Sequence, residues 1–436
     1  MYKLWVMGGG SRTNRFNSSA AGEVPGLTGL RFVAAFSVLL AHSMSVLMHK
    51  YETPQGVVYW CMQASGFGMT LFFVLSGFVI HYNYASAVTS GGVRGIAGYL
   101  WARFARLYPL FLLILFVGML QYIRPFHMMA GQFEQFDTAV HTAPYFLLSI
   151  QSWVYFPVGD RALFCAIGGI ACPTWSISTE WFFYFVFPFI AWIVLQARTP
   201  WQTAILGLVW IAVWIAIATN LYDRSPQLDA WAVTRFGSVA GMSDYPEDSF
   251  VRWLLYISPY LRIGEFILGT CLAQLYVQMR NVKVRAWENL LGTAVFLAAA
   301  ASVFLITYWE YSPDVGQNIF REMNMNFALA PSAALLIFCA ARYRNVASRL
   351  LNARAVVVFG DASYSIYLLH FGVLATVAWL VPPHGIILDT LLLVIVMVAI
   401  LLASVLLYRY YEAPARKWLR RGWSAIPTKH GLFYRG

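Results

Sequence analysis

An arginine and a histidine stand eleven residues apart in the first strongly apolar stretch of the chain, GLTGLRFVAAFSVLLAHSMSVLM. If this stretch is an α-helix, eleven steps make three turns plus about 20°, so Arg31 and His42 lie on the same face, about 16 Å apart along the axis. Ionisable side chains in such a helix usually face a bundle interior or a wet cavity. The spacing predicts one long pocket, in which Arg31 binds an anion at the opening and His42 acts as an acid–base group at the inner end.

Each of these two residues also has a purely structural explanation. Arg31 could anchor the end of the helix by extending its guanidinium to the membrane surface. His42 could form a hydrogen bond to a neighbouring helix, which is a common use of polar groups in membrane bundles. Their shared face argues against both positions being incidental.

A carboxylate lies inside another apolar stretch, PTWSISTEWFFYFVFP, where Ser176, Glu180 and Tyr184 recur at four-residue steps and share one helix face. A buried carboxylate needs a partner, and His42, Arg31 or Arg262 could supply it. Next to His42, Glu180 would hold the imidazole in one tautomer. A structural ion pair is the alternative.

Two arginines three residues apart, Arg103 and Arg106, occur in YLWARFARLYPL and share one face of a helix. Each guanidinium offers a planar fork of donors that suits phosphate. The pair therefore predicts a phosphate-binding site, and the ordinary positive charge of a cytoplasmic loop is the alternative.

Other polar residues lie in apolar stretches. Ser76, which is followed by a glycine, predicts a close helix contact. Arg262 and Glu265 are three residues apart and could pair within one helix. Tyr364, Tyr367 and His370 share a broad helix face, and they could bind a substrate or join helices.

The composition is that of a polytopic helical membrane protein. Of the 436 residues, 60% are hydrophobic and 11% are charged, whereas soluble domains carry about 25% charged residues. The net charge of +11 is spread over short loops, so it predicts no nucleic-acid partner.

The predicted fold is all-α, a bundle of about ten transmembrane helices with short cytoplasmic loops and longer outer loops at 124–173, 222–255 and 309–323. The ten predicted spans are 28–48, 60–82, 106–123, 174–196, 203–221, 256–276, 289–308, 324–341, 361–381 and 386–408.

Lysine and arginine are concentrated in alternate loops and at both termini, which predicts that both termini are cytoplasmic. The predicted parts are a cytoplasmic segment at 1–25, a membrane domain at 26–414 and a basic cytoplasmic tail at 415–436. No small-residue cleavage site precedes the first apolar stretch, which predicts an uncleaved first span. The shorter apolar stretch APYFLLSIQSWVYF is expected to lie along the outer leaflet or to re-enter the membrane.

Two of the five cysteines, Cys165 and Cys172, share the first long outer loop. On an oxidising side of the membrane they could form a disulfide, and two free thiols are the alternative. The spacing of cysteines and histidines is not typical of a metal site, so none is expected.

The ordered set of motifs resembles the integral-membrane acyltransferases of acyltransferase family 3, from about Gly26 to Pro414. The family's signature of Arg, ten residues and His falls on Arg31 and His42. FFVLSGF, RxxRLYP, Trp-Ser-x-x-x-Glu, RIGEFILG, SYSIYLLH and a final Glu-x-Pro follow in the family's order. Each string is weak alone, whereas six in order on a frame of ten spans are specific.

The resemblance implies a multi-pass enzyme of the bacterial cytoplasmic (inner) membrane. It would transfer an acyl group, commonly acetyl, from cytoplasmic acyl-CoA to a hydroxyl of a surface glycan, a lipid-linked sugar or a small hydrophobic acceptor. Acyl-CoA would be a co-substrate, and no permanently bound cofactor is expected. Some family members carry a fused soluble domain, and none is expected here. The resemblance leaves two alternatives open: this chain completes the transfer alone, or a separate outer-side partner finishes it.

The resemblance also assigns roles to matching residues. His42 and Glu180 would be catalytic, with His42 as the general base on the acceptor hydroxyl or as a transient carrier of the acyl group. The residues expected to bind acyl-CoA are Arg31, Arg103, Arg106 and Tyr108. The residues expected to bind substrate are Ser76, Trp175, Ser176, Arg262, Glu265, Tyr364 and His370.

Two other classes of protein stay open. A transporter of a small anionic solute or acyl group is the main alternative, because intramembrane Arg, His and Glu also mark transport routes. Against it, neither an inverted repeat nor a pair of interrupted half-helices is evident. The third class is an inactive structural subunit, and the presence of Arg31 and His42 argues against it.

Overall fold

The computed structural model describes residue 24 and residues 26–53, 56–123, 132–167, 169–344 and 346–424. Within these ranges the chain is almost entirely helical, which confirms the predicted all-α class. Of the predicted N-terminal segment only Val24 is described, and the predicted C-terminal tail is described as far as Ser424. The α-helices are α1 (Leu27–Leu47), α2 (Val57–Met62), α3 (Ala64–Ser90), α4 (Gly92–Ile123), α5 (Gln132–Leu147), α6 (Trp175–Val194), α7 (Pro200–Asp223), α8 (Ser225–Phe236), α9 (Phe250–Arg252), α10 (Pro259–Met279), α11 (Ala286–Tyr311), α12 (Ile319–Glu322), α13 (Ala330–Arg342), α14 (Val346–Leu351), α15 (Arg354–Asp361), α16 (Ser363–Leu380), α17 (Ile386–Leu407) and α18 (Ala413–Ser424).

Each of the ten predicted spans overlaps at least one of these helices, although α4 begins at Gly92, well before the predicted start at 106. In the described part of the chain, eight helical segments are long and apolar enough to cross a membrane: Leu27–Leu47, Val57–Ser90, Gly92–Leu120, Cys172–Val194, Pro200–Asp223, Ala286–Tyr311, Ser363–Leu380 and Ile386–Arg421. The two remaining predicted spans correspond to α10, which carries Arg262 and Glu265, and to the 13-residue α13. The chain is therefore a multi-pass membrane protein.

The eighth predicted span begins later than expected. It was predicted at 324–341, but residues 323–329 form turns and the helix starts at Ala330. Phe327 adopts a left-handed backbone conformation with φ of 72°, which interrupts a right-handed helix. Asn326 donates from its side chain to the carbonyl of Leu255. This hydrogen bond holds the polar turn at 323–329 against the π-helical turn Trp253–Ile257.

The first long loop contains the two β-strands of the described chain. β1 (Pro157–Val158) and β2 (Arg161–Ala162) pair in antiparallel register. Cys165 and Cys172 form a disulfide, which decides between the two alternatives that the sequence left open. The short apolar stretch predicted within this loop forms the end of α5 and the turns that follow it.

Two glycines allow α3 and α10 to cross closely. A side chain at Gly77 would collide with the carbonyl of Phe266, and one at Gly269 would collide with the carbonyl of Val74. Small residues are favoured at such crossings because backbones can approach and gain van der Waals contact in lipid. The close contact predicted from the residue next to Ser76 is therefore present.

Helix α1 runs antiparallel to α3. Gly68, near the start of α3, packs against Ala34 and Val38, whereas Arg31 shares a cavity with Ser76 further along α3. Later residues of α1 therefore meet earlier residues of α3. This packing places Arg31 and His42 at different depths along the same helix pair.

The remaining turns are 3₁₀-helical or π-helical and connect the main helices. The 3₁₀ turns are His49–Tyr51, Leu163–Cys165, Gly169–Thr174 and Ser238–Ala240, and the π-helical turns are Trp253–Ile257 and Tyr408–Glu412.

Candidate active site

A cavity lies between α1, α3, α4, α6 and α16. It brings together residues from stretches that are far apart in the sequence, including the three predicted phosphate-binding arginines. Its lining residues are Arg31, Met69, Phe72, Phe73, Leu75, Ser76, Val79, Ile80, Arg103, Arg106, Leu107, Ser176, Ile177, Glu180, Tyr184, Ser363, Tyr364 and Tyr367.

Three guanidiniums give one part of this cavity a strong positive charge. Arg31, Arg103 and Arg106 all line it, and in the described residues none of them has a carboxylate within 4 Å. Arg103 is buried, donates to the hydroxyl of Tyr84 at 2.8 Å and lies 4.7 Å from the centre of that ring. Its Nε has no partner. The group is held in place and keeps donor capacity for an anion.

Glu180 is the carboxylate of this cavity. Its Oε1 accepts a hydrogen bond from Ser76 Oγ at 2.6 Å. This distance is typical of a charge-assisted bond. The structure thus gives Glu180 a different hydrogen-bond partner from the histidine that the sequence suggested.

His42 instead contacts His370 on α16. Its Nδ1 lies 2.8 Å from His370 Nε2, and His370 Nδ1 lies 2.5 Å from the carbonyl oxygen of Tyr367. A carbonyl only accepts, so Nδ1 of His370 carries a proton and, in the neutral ring, Nε2 is the acceptor. His42 must then donate from Nδ1, which leaves its own Nε2 without a proton. This is the form of imidazole that can act as a general base.

Tyr367 stands between the cavity and the histidine pair. Its hydroxyl accepts from Ser176 Oγ at 2.7 Å and donates to the carbonyl of Pro173 at 2.8 Å, and its ring centre lies 5.7 Å from that of His370. His42 is not among the residues that line the cavity. The expected single pocket from Arg31 to His42 is therefore divided at Tyr367 in this conformation.

The other residues predicted to bind substrate or acyl-CoA fall into two groups. Ser76, Ser176 and Tyr364 line the cavity, where Tyr364 also donates to the carbonyl of Leu107 at 2.9 Å. Tyr108 lies outside the lining and packs on the rings of Phe104 and Trp181.

Three further predicted residues surround the cavity without lining it. Trp175 packs against Phe73 and Tyr256. Arg262 donates to Glu265 at 3.1 Å, so the pairing that the sequence suggested within this helix is present. The guanidinium of Arg262 lies 5.0 Å from the centres of the Phe73 and Tyr256 rings.

The tyrosines that the sequence places on the same helix faces as Glu180 and His370 also line the cavity. They are Tyr184, one helical turn after Glu180, and Tyr367, one turn before His370. The partnership of His42 and His370 has no local signal, because the two residues lie on helices at opposite ends of the chain.

The chain is similar to known acyltransferases over most of its length. Residues 24–409 match the profile of an acyltransferase domain. "Acyltransferase MdmB" from Streptomyces mycarofaciens is 26% identical over 359 residues, which cover 81% of this chain and 79% of that protein. "Regulator of hypoxia-inducible factor 1" from Caenorhabditis elegans is 27% identical over 172 residues, and the match covers 37% of this chain and 33% of that protein.

No solved structure is significantly similar to the chain. The match to the acyltransferase domain covers nearly the whole membrane bundle, including all the residues of the cavity and the histidine pair. The chain therefore belongs to the acyltransferase 3 family and is a multi-pass membrane acyltransferase.

Proposed function

We propose that the protein transfers an acyl group, commonly acetyl, from acyl-CoA to a hydroxyl of a surface polysaccharide or a lipid-linked sugar. The observation that carries this proposal is the convergence of Arg31, Arg103 and Arg106 on one cavity that holds a single carboxylate, Glu180. CoA carries several phosphate charges, and guanidiniums without carboxylate partners are suited to bind them.

The elongated shape of the donor also fits the arrangement. The arginines lie toward one end of the α1–α3 pair, and His42 lies about 16 Å further along α1. An extended pantetheine arm is long enough to cover such a distance, whereas a small anion is not. The arm would pass Tyr367, so opening at Tyr367 and Phe72, whose rings are in contact, is part of the proposal.

His42 Nε2 would take the proton of the acceptor hydroxyl as the hydroxyl oxygen attacks the thioester carbonyl carbon. The carbon–sulfur bond then breaks, and the sulfur leaves with the electron pair. The proton passes from His42 to the thiolate, so that the products are an ester and CoA. A covalent route would use the same Nε2 as the nucleophile and form an acyl-histidine first.

The hydrogen bonds of the site support separate roles for the two predicted catalytic residues. His370 holds the tautomer of His42, so Glu180 is not needed for that purpose. Glu180 would instead orient the arginines and the donor arm from its bond to Ser76. The remaining part of the proposal is a location in the bacterial inner membrane with both termini in the cytoplasm.

The test uses the full chain in lipid nanodiscs with radiolabelled acetyl-CoA and crude bacterial envelope glycan. The proposal expects label to move covalently to the glycan, and it expects His42→Ala to abolish this transfer while the protein inserts normally. His141→Ala is the matched control, because His141 is exposed and lies on α5 away from the cavity. Solute flux without covalent labelling, or full transfer by the His42→Ala variant, would reject the proposal.

A further inference from the structure

The last described helix, α18, packs beside the arginine-lined cavity. It runs antiparallel to the first half of α4, because the hydroxyl of Tyr411 donates to the carbonyl of Pro109 at 3.1 Å and the indole of Trp101 donates to the carbonyl of Leu419 at 3.0 Å. The preceding α17 has 22 residues. It is about 33 Å long, which is enough to cross the hydrocarbon core of a bilayer. Helix α18 therefore lies beyond that core.

The start of α18 is attached to the wall of the cavity. Glu412 directly precedes α18 and is buried, and its Oε2 accepts a hydrogen bond from Ser365 Oγ of α16 at 2.7 Å. The two residues of α16 before Ser365, Ser363 and Tyr364, line the cavity. The position of α18 is therefore fixed against the same helix that carries part of the cavity wall.

Arg420 of α18 and Arg103 of α4 converge on one neutral oxygen. Arg103 lines the cavity and donates to the hydroxyl of Tyr84 at 2.8 Å, and Arg420 donates to the same hydroxyl at 3.4 Å. Tyr84 lies one helical turn after Ile80, which also lines the cavity, so this contact marks the end of the cavity that is furthest from His42. Arg420 is exposed there, whereas Arg103 is buried.

This pair of guanidiniums has an uncompensated positive charge. Both groups contact the same hydroxyl oxygen, so the two charges lie close together and repel each other. In the described part of the chain neither Arg103 nor Arg420 has a carboxylate within 4 Å. An anion bound beside them would remove the repulsion, and the planar donor forks of arginine suit a phosphate group.

The direction of acyl-CoA in the cavity determines which of its phosphates reaches Arg420. With the thioester directed toward His42, the pantetheine arm and then the pyrophosphate follow toward the arginines, and the adenosine lies at the opposite end. The ribose of that adenosine carries the 3′-phosphate, a monoester with nearly two negative charges at pH 7. Arg420 lies at this end, whereas Arg31 and Arg106 line the cavity itself.

We infer that Arg420 binds the 3′-phosphate of acyl-CoA and makes the protein prefer CoA to donors that lack this phosphate. Arg416 lies one helical turn earlier on the same face of α18 and adds a second positive charge. This inference rests on the proposed function for the direction in which acyl-CoA lies, but nucleotide binding is measured without acyl transfer.

The first experiment compares two nucleotides that differ only in this phosphate. Binding of CoA and of 3′-dephospho-CoA to the full chain in phosphatidylcholine nanodiscs is measured by equilibrium dialysis. We expect Arg420→Gln to weaken the binding of CoA about 3- to 10-fold, because an exposed charge-assisted hydrogen bond is lost. The binding of 3′-dephospho-CoA should change by less than about 2-fold, since the phosphate that Arg420 contacts is already absent.

Two further variants separate this role from a general effect of charge or folding. Arg420→Lys keeps the positive charge and should keep part of the preference for CoA. Arg280→Gln is the matched control, because Arg280 is exposed and directly follows α10. Gln274 contacts His81 near the ends of α10 and α3, which places Arg280 at the same end of the bundle as Tyr84. This control should bind both nucleotides as the wild type does.

A second arm distinguishes the phosphate of CoA from the phosphate of a lipid headgroup, which basic helices at a membrane surface also attract. The dialysis is repeated in nanodiscs that contain phosphatidylglycerol. If Arg420 binds the 3′-phosphate, Arg420→Gln loses the preference for CoA over 3′-dephospho-CoA in both lipids. An effect that appears only with phosphatidylglycerol, and is equal for the two nucleotides, would assign Arg420 to the lipid surface and overturn the inference.

These outcomes are distinct from failure of the proposed function. The inference is overturned if the wild type has no preference for CoA, if Arg420→Gln keeps that preference, or if the variant weakens both nucleotides equally. Each of these results is compatible with transfer of label from acetyl-CoA to glycan. If the wild type prefers CoA through Arg420 but never transfers label, the phosphate site stands and the acyl-transfer proposal fails.

Discussion

His42 and His370 lie 328 positions apart in the chain, yet Nδ1 of one is 2.8 Å from Nε2 of the other. Their rings are nearly parallel, with centres 5.0 Å apart and an angle of 13° between planes. His370 is fully buried and is fixed in turn by the backbone carbonyl of Tyr367. The contact therefore joins α1 to α16 and also determines which nitrogen of His42 is free to accept a proton.

Replacing His370 by alanine should lower kcat for acyl transfer about 10- to 100-fold, because His42 loses the acceptor that fixes its tautomer. The ¹⁵N spectrum of the His42 ring should change from one tautomer to a mixture. Label transfer from acetyl-CoA and ¹⁵N NMR of histidine-labelled protein are the measurements.

Two matched variants test whether the effect of His370 comes from this hydrogen bond. His370→Gln keeps an amide oxygen that can accept from His42 and should recover part of kcat. Tyr367→Phe removes a hydroxyl but keeps the backbone carbonyl that fixes His370, so the His42 tautomer should not change. Full activity in His370→Ala would show that the contact serves only to join the helices.

Replacing Arg31 by alanine should weaken the binding of acyl-CoA about 10- to 100-fold, since a charge-assisted hydrogen bond to phosphate is lost. Arg94→Ala is the control, because Arg94 is exposed and lies outside the cavity. Equilibrium dialysis with a non-hydrolysable acetyl-CoA analogue gives both dissociation constants. If Arg31→Ala and Arg94→Ala bind the analogue equally well, Arg31 anchors the end of the helix and does not bind acyl-CoA.

Replacing Gly77 by alanine should destabilise the protein by about 1–3 kcal/mol, because the new Cβ meets the carbonyl of Phe266 and backbone cannot move aside as a side chain can. Gly66→Ala is the matched change on the same helix, since a Cβ there meets no atom within 4 Å. Thermal unfolding in detergent should separate the two variants. Equal midpoints would mean that α3 and α10 are not packed as closely as described.

Removing the disulfide by Cys165→Ser with Cys172→Ser should lower the free energy of unfolding by roughly 2–3 kcal/mol, the effect expected for so short a closed loop. The loop lies outside the cavity, so the KM for acetyl-CoA should stay unchanged. Thermal unfolding and label transfer are compared with the wild type under non-reducing conditions. A loss of donor binding would indicate that the loop supports the cavity across α6.

The sequence by itself determined the helical class, the approximate position of most main helices and the order of the family motifs. These are local properties, because the length of an apolar stretch and the spacing of residues along one helix need no knowledge of the neighbours. That Arg31 and His42 share α1 follows from their spacing alone. The start of α13 could not be predicted in this way, because the turn before it is held by Asn326 and Leu255 across the bundle.

Only the tertiary structure decided which side chains meet. It paired His42 with His370 and Glu180 with Ser76, and it left His42 outside the lining of the arginine-lined cavity. These contacts depend on the depth and rotation of each helix against its neighbours. Close crossings, such as that of α3 with α10 at Gly77 and Gly269, set both of these quantities. A helical pattern specifies which face is polar, but the partner of that face is specified by packing.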